Sequence, residues 1–163
     1  MPNSIPTEVI TDNYAIYNTD CVPFTQSLPT NSIDCVIYSP PFRGLYHYSS
    51  DERDMSNCAT PEEFFAHYEF LVEQLVRVTK PGRTIAVHVA EIPDSNNGTD
   101  NLEDFPGDVI ALHKKLGFRY LGQHTIWKEP LWVRLRTLQK SLQHQSIVED
   151  SMNAGVASAD KLL

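Results

Sequence analysis

The sequence Ile33-Asp34-Cys35-Val36-Ile37-Tyr38-Ser39-Pro40-Pro41-Phe42 joins a mostly apolar run to a pair of prolines. Residues 33–38 predict a short β-strand. Proline has no N–H to donate to a sheet, and it restricts the backbone of the residue before it. Strand pairing is therefore expected to end near Ser39, which leaves Ser39 to Phe42 in a loop at the carboxyl end of the strand.

The segments on either side of this strand alternate between strand and helix patterns. Upstream, residues 14–18 predict a strand and residues 23–28 a helix. Downstream, residues 61–79 predict a long helix because apolar side chains recur every three or four positions. Thr60 is suited to cap that helix, with Pro61 at its first position and Glu63 completing a capping box, and Lys80-Pro81-Gly82 is expected to end it.

The remaining elements extend the same alternation. Residues 84–90 form a nearly continuous apolar run, typical of a strand buried on both faces of a parallel sheet. Later segments predict a long loop at 93–106, a helix at 107–116 ending at Gly117, a strand at 118–127 and the first residues of a strand at 158–163. The chain is thus expected to form one α/β domain with a mostly parallel sheet flanked by helices.

Composition narrows the class of protein. The chain has 163 residues, of which 41% are hydrophobic and 21% charged, as expected for one globular domain. It contains no apolar run of the ~18 residues that a membrane span needs, and its first residues lack the pattern of a secretory signal. We therefore expect a cytoplasmic protein that is not associated with a membrane. The three cysteines have no metal-site spacing and are interpreted as reduced thiols, with no metal site.

The charges divide unevenly along the chain. The net charge is −8, which argues against nonspecific binding of nucleic acid by the whole chain. Residues 1–108 carry 17 acidic and 5 basic side chains, whereas residues 109–140 carry 7 basic and 1 acidic. A surface that faces phosphates is therefore expected from the later stretch.

A leucine stripe after Pro130 predicts a further helix. Its basic residues Arg134, Arg136 and Lys140 lie off the apolar stripe. Two interpretations stay open, a core helix with a solvated basic face and a helix that contacts the DNA backbone.

The run Ser39-Pro40-Pro41-Phe42 after an apolar strand resembles motif four of the DNA methyltransferases that methylate exocyclic amino groups. Taken alone, the same four residues also fit an ordinary proline-rich loop. Other stretches match this family in order: Asn18-Thr19-Asp20-Cys21, with Thr19 in place of the usual glycine, then Pro29 to Asp34, Val78 to Arg83, and Trp127-Lys128-Glu129-Pro130. The ordered set is more specific than any single member.

The resemblance implies a Rossmann-like methyltransferase domain and a role for each motif residue. The amino group of cytosine or adenine is a poor nucleophile because its lone pair is delocalised into the ring. The Ser39 side chain and the Pro40 carbonyl would accept hydrogen bonds from it and localise that pair. Pro41 stiffens the turn, and Phe42 would stack the base extruded from double-stranded DNA.

The resemblance also implies S-adenosylmethionine as the cofactor, with Asp20, Cys21, Ser39 and Pro40 beside it. In the motif order followed here, a Phe-x-Gly-x-Gly loop that wraps this donor comes after the target-recognition region. The seven glycines never form Gly-x-Gly. We therefore interpret residues 1–163 as the catalytic-motif portion of one domain, with residues 1–13 an extension and 131–163 the start of the target-recognition region.

Two consequences follow from that interpretation. The chain alone is expected to bind the donor weakly or not at all. We also expect a missing C-terminal portion or a complementary subunit to supply the glycine loop, as part of a bacterial or phage restriction-modification system.

Several further assignments remain as alternatives. The residues that follow the motif either line the pocket for the flipped base, grip the target strand or pack the loop: Arg43, Tyr46, His47 and Tyr48. The other histidines receive no chemical role. Serine before the prolines favours cytosine over adenine as the target. A truncated, inactive DNA- or protein-binding piece is the second interpretation, and a hydrolase is disfavoured because Ser39 lacks an evident base and no Gly-x-Ser-x-Gly elbow exists.

Overall fold

The computed structural model describes residues 8–42, 46–93, 102–129 and 159–163. In chain order its elements are β1 (Glu8–Ile10), β2 (Ala15–Tyr17), α1 (Cys21–Ser27), β3 (Ile33–Tyr38), a 3-10 turn (Met55–Asn57), α2 (Pro61–Val78), β4 (Thr79–Val89), β5 (Ile92–Pro93), β6 (Leu102–Glu103), α3 (Phe105–Leu116), β7 (His124–Ile126) and β8 (Asp160–Leu162).

Within the described residues, four strands form the central sheet in the order β3-β4-β8-β7. β3 and β4 are parallel, and Tyr38 lies opposite Val87 at the end of their ladder. β8 runs antiparallel to both β4 and β7. The predicted α/β class is confirmed, and the described sheet is mixed, because β8 enters it beside β4 in the opposite direction.

The long helix α2 begins as the sequence predicts. The Thr60 hydroxyl accepts a hydrogen bond from the Glu63 N–H at 3.2 Å, and Pro61 is the first helical residue. The Glu63 carboxylate returns to the N–H of Ala59 at 2.8 Å, one residue before the position that an ideal capping box uses. These contacts satisfy backbone donors that the first helical turn leaves without partners.

The end of α2 differs from the prediction. β4 starts at Thr79, directly after the helix, and the predicted stop residues 80–82 lie in an irregularity of β4 opposite Asp34. Gly82 adopts a φ of 77°, a left-handed conformation that suits glycine. Lys80 and Arg83 both pair with the Asp34 carboxylate, at 2.6 and 3.3 Å, which ties the irregularity to β3.

Helix α3 and the strand after it confirm the predicted order but not every boundary. α3 begins at Phe105, two residues earlier than predicted, with Asp104 capping it, and ends at Gly117, whose φ is 117°. The predicted strand over residues 118–127 is wrong in length, because only His124–Ile126 are strand. β7 is short because it pairs, among the described strands, only with β8, in which three residues form the ladder.

Helices α2 and α3 cover one face of the sheet. The core contains buried side chains from both helices and from alternate positions of β4, among them Phe64, Tyr68, Val72, Val87, Val89, Phe105 and Val109. Alternate residues of a strand point to opposite faces. Val36 and Tyr38 therefore pack on the helices, whereas Ile37 lies on the other face and is 76% exposed.

A chain of polar contacts joins the end of β3 to both helices. The His113 Nδ1 atom donates to the Val109 carbonyl at 2.7 Å, so in the neutral ring Nε2 accepts from the Tyr38 hydroxyl at 2.8 Å. The Tyr38 oxygen in turn accepts from the Tyr68 hydroxyl at 2.6 Å. Burial raises the pKa of both tyrosines and lowers the pKa of His113, so all three groups stay neutral inside the protein.

Two small antiparallel pairs lie outside the central sheet. β1 pairs with β2, so the predicted N-terminal extension contributes a strand. β5 pairs with β6 at the ends of the predicted 93–106 loop, whose middle lies outside the described residues. The predicted helix after Pro130 lies outside them as well. None of the helices within the described ranges is long and apolar enough to span a membrane.

We expect Tyr38→Phe to destabilise the fold by about 1–3 kcal/mol, because it leaves the His113 Nε2 atom and the Tyr68 hydroxyl buried without their partner. Urea denaturation measures the change in the free energy of unfolding. Tyr48→Phe is the matched control, since its ring is 67% exposed. Equal effects of the two variants would show that the Tyr38 hydroxyl stabilises nothing.

We expect stability to fall as the pH drops below the ordinary histidine pKa of 6.5. Because burial lowers the pKa of His113 in the folded state, the unfolded chain takes up the proton first, so this contribution is complete above pH 6.5 and is lost as the pH falls toward the folded value. Denaturation midpoints between pH 7.5 and 5 measure the slope. His113→Asn should reduce the dependence of the midpoint on pH, whereas His124→Asn, at an exposed position, should leave it unchanged. The reverse result would contradict the assignment of this pH dependence to His113.

Candidate active site

The candidate site lies at the carboxyl ends of β3 and β4. Because Tyr38 lies opposite Val87 in a parallel pair, the next residues of the two strands, Ser39 and His88, come side by side. Both side chains point to the face opposite α2 and α3, since their neighbours Tyr38, Val87 and Val89 pack on the core. The predicted end of strand β3 before Ser39 is confirmed.

The Ser39 hydroxyl lies beside two hydrogen-bond acceptors that both belong to His88. Its Oγ atom lies 3.0 Å from the His88 carbonyl oxygen and 3.3 Å from His88 Nδ1. A hydroxyl has one hydrogen to donate and two lone pairs that accept. When that hydrogen is directed at His88, the lone pairs of Oγ remain available to a donor on the exposed side of Ser39.

The other ring nitrogen of His88 is held by a carboxylate. His88 Nε2 lies 2.6 Å from Asp160 Oδ2, and the Asp160 side chain is 7% exposed. Asp160 is on β8, two residues before the Leu162 that pairs with His88, so it reaches the ring diagonally across the sheet. A carboxylate accepts only, so Nε2 carries a hydrogen and, in the neutral ring, Nδ1 faces Ser39 as an acceptor.

Lys128 supplies the counter-charge for Asp160. Its ammonium group contacts the same Oδ2 atom that His88 approaches. Lys128 follows β7 by two residues beyond Ile126, the partner of Asp160, which brings it to the same face of the sheet. The buried carboxylate is therefore paired and hydrogen-bonded, the condition under which a charge is tolerated inside a protein.

The rest of the motif is packed against this group. Pro40 is buried, and Pro41 and Phe42 are half-buried. The Phe42 ring meets the rings of His88 and Phe105 edge-on, each with centroids 6.1 Å apart. Phe42 thus holds the loop to the core and braces the His88 ring, and its proposed stacking on a base stays a prediction.

Asp20 and Cys21 lie at the start of α1. Asp20 caps the helix by accepting from the Val22 N–H at 3.0 Å, and its second oxygen pairs with Arg53 at 3.2 Å. Burial and the neighbouring Asp20 carboxylate both raise the pKa of the Cys21 thiol. Val22, the next residue of α1, packs against the same hydrophobic core as Tyr38.

The predicted DNA contacts are described only in part. Tyr46 is 45% exposed and its ring lies 6.2 Å from that of Tyr48, while the ring of His47 contacts Asn57. Arg43, Arg134, Arg136 and Lys140 lie outside the described residues. The DNA contacts of these four basic side chains therefore stay predictions.

Sequence reasoning missed the partners of Ser39. The expectation that Ser39 lacks an evident base partner is wrong, because His88 Nδ1 lies 3.3 Å from its Oγ atom. The assignment of no chemical role to His88 is not tested by this contact. Nothing in the local sequence marks the pair, because His88 and Asp160 are 49 and 121 positions beyond Ser39 in the numbering. The histidine within the apolar run 85–90 is the one local signal, and its place beside Ser39 follows from the register of β3 and β4.

Known proteins similar to this chain are DNA methyltransferases. No family model matches the chain. Over 86 residues it is 31% identical to the Type II methyltransferase M.BglII from Bacillus subtilis, a match that covers 52% of this chain and 22% of that protein. This supports the sequence resemblance to DNA methyltransferases that the motif order indicated.

Two solved structures share the fold. TTHA0409 of Thermus thermophilus, whose name proposes a DNA modification methylase and which was solved with S-adenosyl-L-methionine, aligns with a TM-score of 0.60 at 17% identity, covering 88% of this chain and 51% of that one. The cytosine-N4-specific PvuII DNA methyltransferase aligns with a TM-score of 0.59 at 16% identity, covering 90% and 46%.

The sequence match to M.BglII bears out the resemblance to a Type II methyltransferase over about half of this chain. The α/β methyltransferase fold is confirmed. The chain spans about a fifth of the length of M.BglII and about half of the two methyltransferase-fold structures. In this structure Ser39, His88 and Asp160 meet where β3 and β4 reach their carboxyl ends and β8 begins.

Proposed function

We propose that the protein is part of an S-adenosylmethionine-dependent DNA methyltransferase that modifies the exocyclic amino group of a flipped base, with cytosine preferred over adenine. The observation that carries this proposal is the environment of Ser39, whose hydroxyl hydrogen is directed at His88 while its lone pairs remain accessible. An oxygen with free lone pairs is the group needed to accept a hydrogen bond from an amino nitrogen.

The chain's own residues would prepare the amino group for attack. Hydrogen bonds from that group to Ser39 Oγ and to the Pro40 carbonyl oppose delocalisation of its lone pair into the ring. The prolines restrict the loop, so these acceptors need little reorganisation as the reaction proceeds. Phe42, fixed edge-on against Phe105, would offer the remaining part of its ring to the extruded base.

The residues beside Ser39 fit the methyl donor in part. When bound, S-adenosylmethionine supplies an electrophilic methyl group on a sulfonium. Asp20 is a chemically suitable partner for the hydroxyl or ammonium groups of such a molecule. Both of its oxygens already have partners, the Val22 N–H and Arg53, so a donor molecule would have to share or replace the Arg53 contact.

The serine before the prolines supports cytosine as the target, because it has this place in the cytosine-modifying subset more often than in the adenine-modifying one. The DNA contacts proposed for Arg43, Tyr46 and His47, and for Arg134, Arg136 and Lys140, rest on their position in the sequence. A second candidate function is a catalytically inactive DNA- or protein-binding piece. It is favoured by the absence of a Gly-x-Gly loop and by the acidic first two-thirds of the chain.

We expect DNA from cells that express the native gene to contain N4-methylcytosine, and Ser39→Ala to lower the rate of its formation by about 10²- to 10³-fold, the usual cost of losing one hydrogen-bonding group at a reacting centre. Nucleoside mass spectrometry measures the product. Ser49→Ala, in the exposed 46–53 segment, is the matched control. Methyladenine without methylcytosine overturns the cytosine preference, and no methylated base at all favours the binding-piece alternative.

We expect residues 1–163 alone to bind S-adenosylmethionine weakly or not at all, because they contain no glycine loop to wrap it. Isothermal titration calorimetry of the purified chain tests this directly. Micromolar affinity would refute the expectation. Asp20→Asn, which keeps the helix cap and removes the charge, would then show whether Asp20 contributes to that affinity.

A further inference from the structure

The group formed by His88, Asp160 and Lys128 has no role in the function proposed so far. Amino methylation leaves one proton to be removed, because the nitrogen gains a methyl group and gives up a hydrogen. Within the described residues, His88 Nδ1 is the one basic nitrogen within hydrogen-bond reach of Ser39 Oγ, at 3.3 Å. The His88 carbonyl is closer, at 3.0 Å, but a carbonyl oxygen is too weak a base to keep a proton at neutral pH.

We propose that His88 acts through Ser39 as the acceptor of the proton released during amino methylation, and that Asp160 is the positioning residue that holds its ring. This inference rests on the proposed function. Asp160 fixes the hydrogen of the neutral ring on Nε2, which leaves the lone pair of Nδ1 facing Ser39. Lys128 balances the charge of Asp160, and Phe42 braces the ring edge-on.

Methyl transfer and proton removal together conserve atoms and electrons. The amino nitrogen forms a bond to the methyl carbon as the carbon–sulfur bond breaks, and the electron pair of that bond stays on sulfur. The proton lost by the nitrogen passes to Ser39 Oγ, and the hydroxyl hydrogen of Ser39 passes to His88 Nδ1. The resulting imidazolium is stabilised by the Asp160 carboxylate and returns its proton to water, to which the 34% exposed His88 side chain has access.

His88→Ala, made in the native gene product, separates proton acceptance from a structural role. We expect kcat to fall about 10²-fold, as for loss of a general base, with KM for DNA unchanged. Imidazole in the buffer should restore part of the rate, because it can enter the partly exposed position and accept the proton. The ring-shaped 1,3-dimethylimidazolium ion, which has no basic nitrogen, should not.

Two further variants sharpen the test. His88→Asn keeps a hydrogen-bond acceptor near the position of Nδ1 but does not take up a proton, so we expect it to be as slow as His88→Ala. His124→Ala, at an exposed position on β7, should keep the parent rate. An active His88→Asn, or a His88→Ala variant that imidazole does not rescue, would reduce His88 to a structural residue and overturn the proposal.

A measurement without the methyl donor tests the role of Asp160. In 15N NMR spectra of the histidine-labelled chain, the neutral His88 ring should carry its hydrogen on Nε2, and Asp160→Ala should produce a mixture of the two tautomers. An Nδ1–H tautomer in the parent protein would overturn the proposal. If the parent shows the Nε2–H tautomer but transfers no methyl group, both the proposed function and this inference are wrong. If His88→Ala methylates at the parent rate, only this inference is wrong.

Discussion

The parallel pairing of β3 with β4 is the constraint on which the rest of the structure depends. The ladder ends with Tyr38 opposite Val87, so the next residue of each strand lies at the same edge of the sheet. Slipping this register by one residue would exchange the two faces, placing Tyr38 outside and Ser39 against the helices. The ion pairs from Lys80 and Arg83 to Asp34 oppose such a slip at the other end of the pair.

The last residue of β3 and the residue that follows it therefore point in opposite directions. Tyr38 points into the core and binds Tyr68 and His113, which joins the strand to α2 and α3 through neutral buried groups. Ser39 points away from the helices, toward His88 and the Asp160–Lys128 pair. The buried contacts of Tyr38 hold the backbone in place, so the adjacent Ser39 side chain has a fixed position. A catalytic site needs side chains that the scaffold holds in fixed positions.

The sequence was most informative where local chemistry decides the structure. The cap at Thr60, the apolar stripe of α2, the end of α3 at Gly117 and the end of β3 before the prolines depend on residues close together in the chain, and all four are confirmed. The length of β7 and the antiparallel course of β8 depend on which strands meet across the sheet, which periodicity does not reveal. The same limit hid the contacts of His88 and Asp160, since these contacts follow from register and not from spacing.

This edge of the sheet is proposed to receive the amino group of an extruded base. The most direct test is a crystal structure of the native gene product bound to a DNA duplex that contains its target. The account predicts an extruded base with its exocyclic nitrogen about 2.7–3.2 Å from both Ser39 Oγ and the Pro40 carbonyl oxygen. A base that stays stacked in the duplex, or whose amino group lies beyond hydrogen-bond reach of Ser39, would contradict it.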